Sequence, residues 1–231
     1  MTPFRGGERE AELVVRPVRR ARGLRLSVDA ARGRVLLTMP PRASKRAALA
    51  WAETRRAWVE ELLARAPAGR PFVPGAVLPW DGVELAIAWT PERLRTPRRE
   101  GGRLICGGPV EHLAARVTAW LKRDALRLLE AETRAVGARA GVEIGRVRVG
   151  DPRTRWGSCS GTGNVSYSWR LPFAPPFVWR AVVAHEVAHR LHMDHSPAFH
   201  VAYAELLGEN PAPADCWLKV NGRELFLFGR G

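Results

Sequence analysis

The sequence is poor in cysteine. Three in 231 residues, at Cys106, Cys159 and Cys216, exclude a disulfide framework, and their spacings fit no zinc-finger pattern. Lysine is scarce too: of 37 basic residues only Lys45, Lys122 and Lys219 are not arginine. No apolar run approaches the roughly 18 residues that a membrane span needs, so no membrane partner is expected. The opening Met1-Thr2-Pro3-Phe4-Arg5-Gly6 has no apolar stretch behind its charges, so no secretory signal is expected. The low cysteine content makes a reducing cytoplasm the expected compartment. No fixed-period repeat runs along the chain.

What is present argues for a folded chain. An apolar fraction of 46% and nine tryptophans imply a sizeable core. The length allows one ordinary domain, or a main domain with a smaller satellite. The charged fraction of 26% excludes general disorder. A net charge of +14 points to nucleic acid or another anionic partner. The excess is spread over both halves and is almost all arginine, a pattern that composition bias also produces.

Alternation of apolar and polar residues at Leu24, Leu26 and Val28, a turn at Arg32-Gly33, and Val35-Leu36-Leu37 read as strands, ended by Pro40-Pro41. Ser44 caps an expected helix to about Ala66, with Trp51, Trp58 and Leu62 on one face. Strands return over 72–105, where Val83, Leu85, Ile87 and Trp89 alternate, with 90–102 read as an exposed loop. A long helix is expected from about Val110 to Arg139, its stripe being Leu113, Val117, Leu121, Ala125 and Leu128. Strands follow around Val147-Val149 and over 164–170, then a helix over about 176–193. A further helix is capped by Ser196 with Pro197 in its first turn. The reading is α+β: a β-rich N-terminal part with one helix over 1–105, then a more helical part over 106–231.

Five of the six histidines stand between positions 185 and 200. Among them is His185-Glu186-Val187-Ala188-His189, an H-E-x-x-H motif inside an expected helix. Residues i and i+4 share a helix face about 6 Å apart along the axis, so both imidazoles can converge on one Zn²⁺. Glu186 is turned from them by about 100°, beside the metal, where it takes a proton from a metal-bound water. The helix is apolar nearly all round, and a buried helix tolerates two histidines and a glutamate only with a compensating partner. A catalytic zinc takes a third protein ligand. His195, in the break between two helices, stands best placed, ahead of Glu205 and then His200. His192 lies about 10 Å along the axis from His185, too far to share one ion.

The runs Arg155-Trp156-Gly157-Ser158-Cys159-Ser160, Trp169-Arg170-Leu171, Val182 through His189, and His195-Ser196-Pro197-Ala198-Phe199 together resemble the YgjP-like metallopeptidase domain, a group related to the SprT-like and WLM zinc peptidases. The matching motifs cover about 147–207. The resemblance implies a zincin-like helical catalytic part with a small antiparallel edge sheet over 106–231. It also implies a zinc cofactor on His185, His189 and His195, Glu186 as general base, and a peptide or protein substrate. A zincin substrate lies along an edge strand, and 164–170 is the expected one, fed by a turn at 156–159 in which Gly157 takes an unusual backbone angle. Trp156 reads as a core anchor and Cys159 as a small buried hydrophobe. Arg155, Tyr167, His192 and Tyr203 are conceivable oxyanion partners, with nothing in the sequence to choose among them. The leading function is a zinc-dependent endopeptidase. Two alternatives stand beside it: a basic nucleic-acid-binding protein with a structural zinc, and a peptidase acting on DNA-bound proteins.

Overall fold

A computed structural model describes residues 3–30 and 33–230. Arg32 of the expected turn lies outside the described residues. The chain divides into two compact units, the first running to Arg70 and taking in Arg230, the second spanning Pro71–Gly229.

The first unit holds a four-stranded sheet and two helices. The strands are β1 (Phe4–Gly6), β2 (Arg9–Pro17), β3 (Arg25–Asp29) and β4 (Arg34–Met39), in the order β1-β2-β4-β3. β2 and β4 run parallel, and the other pairs are antiparallel. The single helix expected over 44–66 is two, α1 (Lys45–Glu53) and α2 (Arg56–Arg65). Thr54 marks the break: its hydroxyl donates to the Trp51 carbonyl at 2.7 Å, and such bonds back to the preceding turn compete with the helix ladder. The face that packs on the sheet also differs from the expected one. Ala48, Ala52, Val59 and Leu63 are buried, whereas Trp58 is 46% and Leu62 39% exposed.

The second unit begins with another four-stranded sheet: β5 (Val77–Trp80), β6 (Val83–Trp89), β7 (Arg98–Glu100) and β8 (Arg103–Cys106), in the order β5-β6-β8-β7. The expected loop at 90–102 thus contains a short edge strand. The step near residue 105, where strands give way to helix, lies inside this unit. The long helix α3 (Leu113–Arg139) buries Leu113, Val117, Leu121 and Ala125 as the period requires, then continues through Leu129 rather than Leu128.

A three-stranded sheet and three helices follow. The strands are β9 (Val147–Gly150), β10 (Gly157–Cys159) and β11 (Val165–Ser168), and the helices are α4 (Pro176–Ala188), α5 (Pro197–Leu207) and α6 (Ala212–Asn221). The sheet order is β10-β11-β9, with β10 antiparallel and β9 parallel to β11. Two expectations change here. The strand at 164–170 is central, so it is not an edge, and residues 157–159 are a strand rather than a turn. β10 and β9 are therefore the two edges, and β10 is the one that passes over Glu186.

Apolar side chains at alternate positions put Val147, Val165 and Tyr167 on the inner face of this sheet. They join the main core with Trp169, Val178, Val183 and Val187. Tyr167 is fully buried, and its hydroxyl meets Thr133 Oγ1 at 3.0 Å. The α+β architecture, a β-rich N-terminal region followed by helices and small sheets, agrees with the sequence.

Candidate metal centre and its cleft

The helix carrying H-E-x-x-H is shorter than the expected 176–193. α4 ends at Ala188 with His189 as its C-cap, and the next turns tighten through Arg190 N–H to Val187 O and Leu191 N–H to Ala188 O. His185 and His189 keep the one-turn spacing, with ring centroids 5.0 Å apart. His195 comes from the segment between α4 and α5. It is fixed from behind by Ser196, whose hydroxyl caps α5 through the Phe199 N–H.

One ligand atom each from His185, His189 and His195 lies within 4.8 Å of the others. Nε2 of His185 and Nε2 of His195 stand 3.2 Å apart. Nitrogens bound tetrahedrally to zinc at about 2.0–2.1 Å sit roughly 3.3 Å from one another, so the His185–His195 pair has the spacing of such ligands and the three together could hold a metal ion. His189 is oriented by its other nitrogen: Nδ1 lies 3.2 Å from the His192 carbonyl and, donating there, leaves Nε2 free for a ligand bond. Burial, with the neighbouring histidines, pushes His185 down to about 4. Burial also holds His189 below the usual histidine range. Neutral imidazoles are the form that binds metal.

Of the other sequence candidates, His192 contributes its carbonyl, and the His200 ring stands 6.4 Å from that of His195. Glu205 is exposed on α5 and outside the cluster. Phe199 emerges as a positioning residue. It is fully buried, and its ring lies 4.9, 4.6 and 4.7 Å from those of His185, His189 and His195. In the sequence it is one more apolar helix residue, and only the run His195-Ser196-Pro197-Ala198-Phe199 hints at it.

Glu186 is buried at 5% exposure. Burial pushes its carboxyl up to about 7, against the opposing pull of the Arg155 charge and the Cys159 backbone. Above it lies β10, and a β-carbon on Gly157 would stand 2.4 Å from Glu186 Oε1. Gly157 is needed for this close approach, and it is absent from the positive-φ glycines, which corrects the expected unusual backbone angle. Arg155, Gly157, His185, Glu186, Tyr203 and Asp215 line a cleft of about 240 Å³. Of the four oxyanion candidates, Arg155 and Tyr203 reach this cleft, whereas the Tyr167 hydroxyl is committed to Thr133. Asp215, on α6, accepts from the Tyr203 hydroxyl at 3.4 Å and had no motif to announce it. Trp156 anchors the start of β10 by packing on Phe226, with centroids 5.2 Å apart.

Against known families, residues 22–220 match the YgjP-like, metallopeptidase domain. The chain belongs to this YgjP-like family. Membership supports a peptidase with a protein or peptide substrate, and it implies a metal, usually zinc. No curated protein and no solved structure matches the chain. Among the described residues no helix is long and apolar enough to cross a membrane.

Proposed function

We propose that the chain is a zinc-dependent endopeptidase of the H-E-x-x-H type, its chemistry housed in residues 106–231 and its compartment the cytoplasm. His185, His189 and His195 would hold the ion and Glu186 would be the general base. The observation that carries this reading is a cluster of three imidazole donors, one of which, His185, lines the same cleft as the buried Glu186 carboxylate, beneath the edge strand β10.

A bound zinc ion supplies a Lewis acid that polarises the scissile carbonyl and acidifies water. Glu186, made more basic by burial than an exposed carboxylate, takes the proton of the attacking water and passes it to the leaving amine. The open side of β10 aligns the substrate backbone by strand addition. Phe199 and the His192 carbonyl keep the three imidazoles aimed at one point.

The test joins metal analysis of the purified chain to cleavage of casein, with Glu186→Gln as comparator. About one zinc per chain is expected, along with a loss of cleavage of about 10²–10⁴-fold in the variant at unchanged zinc content. Equal cleavage by the two proteins, or release of zinc by Glu186→Gln, refutes the assigned role.

A further inference from the structure

Behind the cleft the sheet presents a second, different surface. The register aligns Ser158 on β10, Ser166 on β11 and Arg148 on β9 in one row across the three strands. Side chains alternate between faces, so this row points away from the core face of Val147, Val165 and Tyr167. Arg146 sits two residues before Arg148 and therefore on the same outer face. Its carbonyl extends the ladder by accepting from Val165 N–H at 2.9 Å.

These residues line a groove of about 560 Å³ together with Arg155, Ser160, Thr162 and Asn164. Arg155 lines both this groove and the cleft that holds Glu186, so the two adjoin at the start of β10.

The groove is one-sided in charge. Three guanidinium groups line it and no carboxylate does. Among the described residues, Arg146, Arg148 and Arg155 form no ion pair, whereas Arg56, Arg65, Arg127 and Arg134 each pair with a nearby acid. Ser158 and Ser166 add hydroxyl groups to its floor.

A peptide strand on the open side of β10 alternates its own side chains by the same rule. One set turns inward over Gly157 and the histidines. The other set turns outward past Ser158, into the field of the arginines. Trp156 O accepts from Ser168 N–H at 2.8 Å and Ser160 N–H donates to Asn164 O at 2.9 Å. By alternation the backbones of Gly157 and Cys159 both point away from β11, and since the Cys159 backbone bonds Glu186, Gly157 is the position that an added strand would meet.

We infer that this groove is a subsite for an acidic side chain of the substrate, with Arg146 and Arg148 as its specificity determinants and Arg155 at its junction with the cleft. That it serves a substrate rests on the peptidase reading, whereas binding of an acidic peptide rests on the sheet geometry and the groove's charge. Planar, always-charged guanidinium groups match a carboxylate through paired hydrogen bonds.

The experiment measures binding in the Glu186→Gln background, where a peptide is held and not consumed. Two short blocked peptides, identical except that glutamate in one is glutamine in the other, are titrated calorimetrically at low salt. The glutamate peptide is expected to bind about tenfold tighter, the scale of two exposed ion pairs. Adding Arg146→Gln and Arg148→Gln should abolish that preference. Adding Arg98→Gln and Arg99→Gln, which remove the same charge from exposed β7 positions, should leave it within about twofold. Equal affinity for the two peptides, or an equal loss in both double variants, overturns the inference. So does a groove variant that loses single-stranded DNA binding while its acidic-peptide binding is unchanged, which would assign the arginines to phosphate.

Cleavage separates the two readings. Zinc-loaded parent protein that cleaves both peptides at the same rate removes the subsite and leaves the peptidase. Arginine-dependent binding of the glutamate peptide without cleavage of either peptide keeps the subsite and removes the peptidase.

Discussion

Gly157 and Glu186 are fitted to one another. A β-carbon at position 157 would stand 2.4 Å from Oε1 of Glu186 and 2.7 Å from its Cδ, inside any real contact distance. The glycine at the head of β10 thus admits the carboxylate beneath the open strand edge, in the cleft shared with His185. Gly157→Ala should push the carboxylate aside while leaving the imidazoles in place. A displacement of about 1 Å in a catalytic group is worth roughly 10²-fold in rate. Zinc content close to the parent's, with cleavage lowered by about that factor, is the expected result. A variant that cleaves like the parent would show that Glu186 has room the geometry denies it.

The metal site makes a separate prediction at His195. His195 is the exposed member of the cluster and comes from a connecting segment rather than from α4. His195→Ala should lower zinc affinity by orders of magnitude, while His200→Ala and Glu205→Ala should leave it near the parent value. Equilibrium dialysis against a competing chelator reads all three. Zinc release by Glu205→Ala with retention by His195→Ala would mean a glutamate-type site.

The legible parts of this protein are those whose signal is local. Residues i and i+4 on one helix announce His185 and His189, and a Ser-Pro pair announces the start of α5. Sheet order is not local. The alternation at Val165 and Tyr167 identifies a strand and says nothing of its neighbours, so an edge was expected where the chain places a centre strand. β10 escaped because three residues beginning with glycine carry too little pattern to separate a strand from a turn. The break at Thr54 was hidden for a related reason: the apolar period continues through it, and one side-chain hydroxyl decides the outcome. Phe199 reaches the site through packing and Asp215 through its bond to Tyr203, and no spacing rule in the sequence joins Asp215 to the histidines.

Arg170 ties the end of the second unit to the strand region. It is buried at 5% exposure. It pairs with Asp151 Oδ1 at 3.0 Å and donates to the carbonyls of Leu225 at 3.3 Å and Phe228 at 2.5 Å. Its guanidinium also lies 4.3 Å from the Trp169 ring centroid. Arg170→Met keeps much of the apolar stem and removes a buried charged donor from both carbonyls and from Asp151. A loss of about 3 kcal/mol is expected in urea unfolding. Trp156 rests on Phe226 in the same C-terminal segment, so peptide cleavage should fall as well, through a loosened β10. Unchanged stability would show that this segment is held by its apolar contacts alone.

The last prediction concerns Thr133 and Tyr167, two buried hydroxyls 3.0 Å apart between α3 and β11. Thr133 donates its proton to the Leu129 carbonyl, so Tyr167 must be the donor to Thr133. Neither group has water to fall back on, since both residues are fully buried. Thr133→Val keeps the shape and removes the acceptor, leaving the Tyr167 hydroxyl buried and unsatisfied at a cost of about 1–3 kcal/mol. Tyr167→Phe removes the other partner, and Thr133 keeps its bond to Leu129, so the loss should be smaller. In the double variant nothing polar is stranded, and its stability should recover to within about 1 kcal/mol of the parent. Denaturant unfolding of all four proteins gives the coupling directly. Additive losses, with the double variant the least stable of the four, would mean that the two hydroxyls do not depend on each other and that β11 is held to α3 by packing.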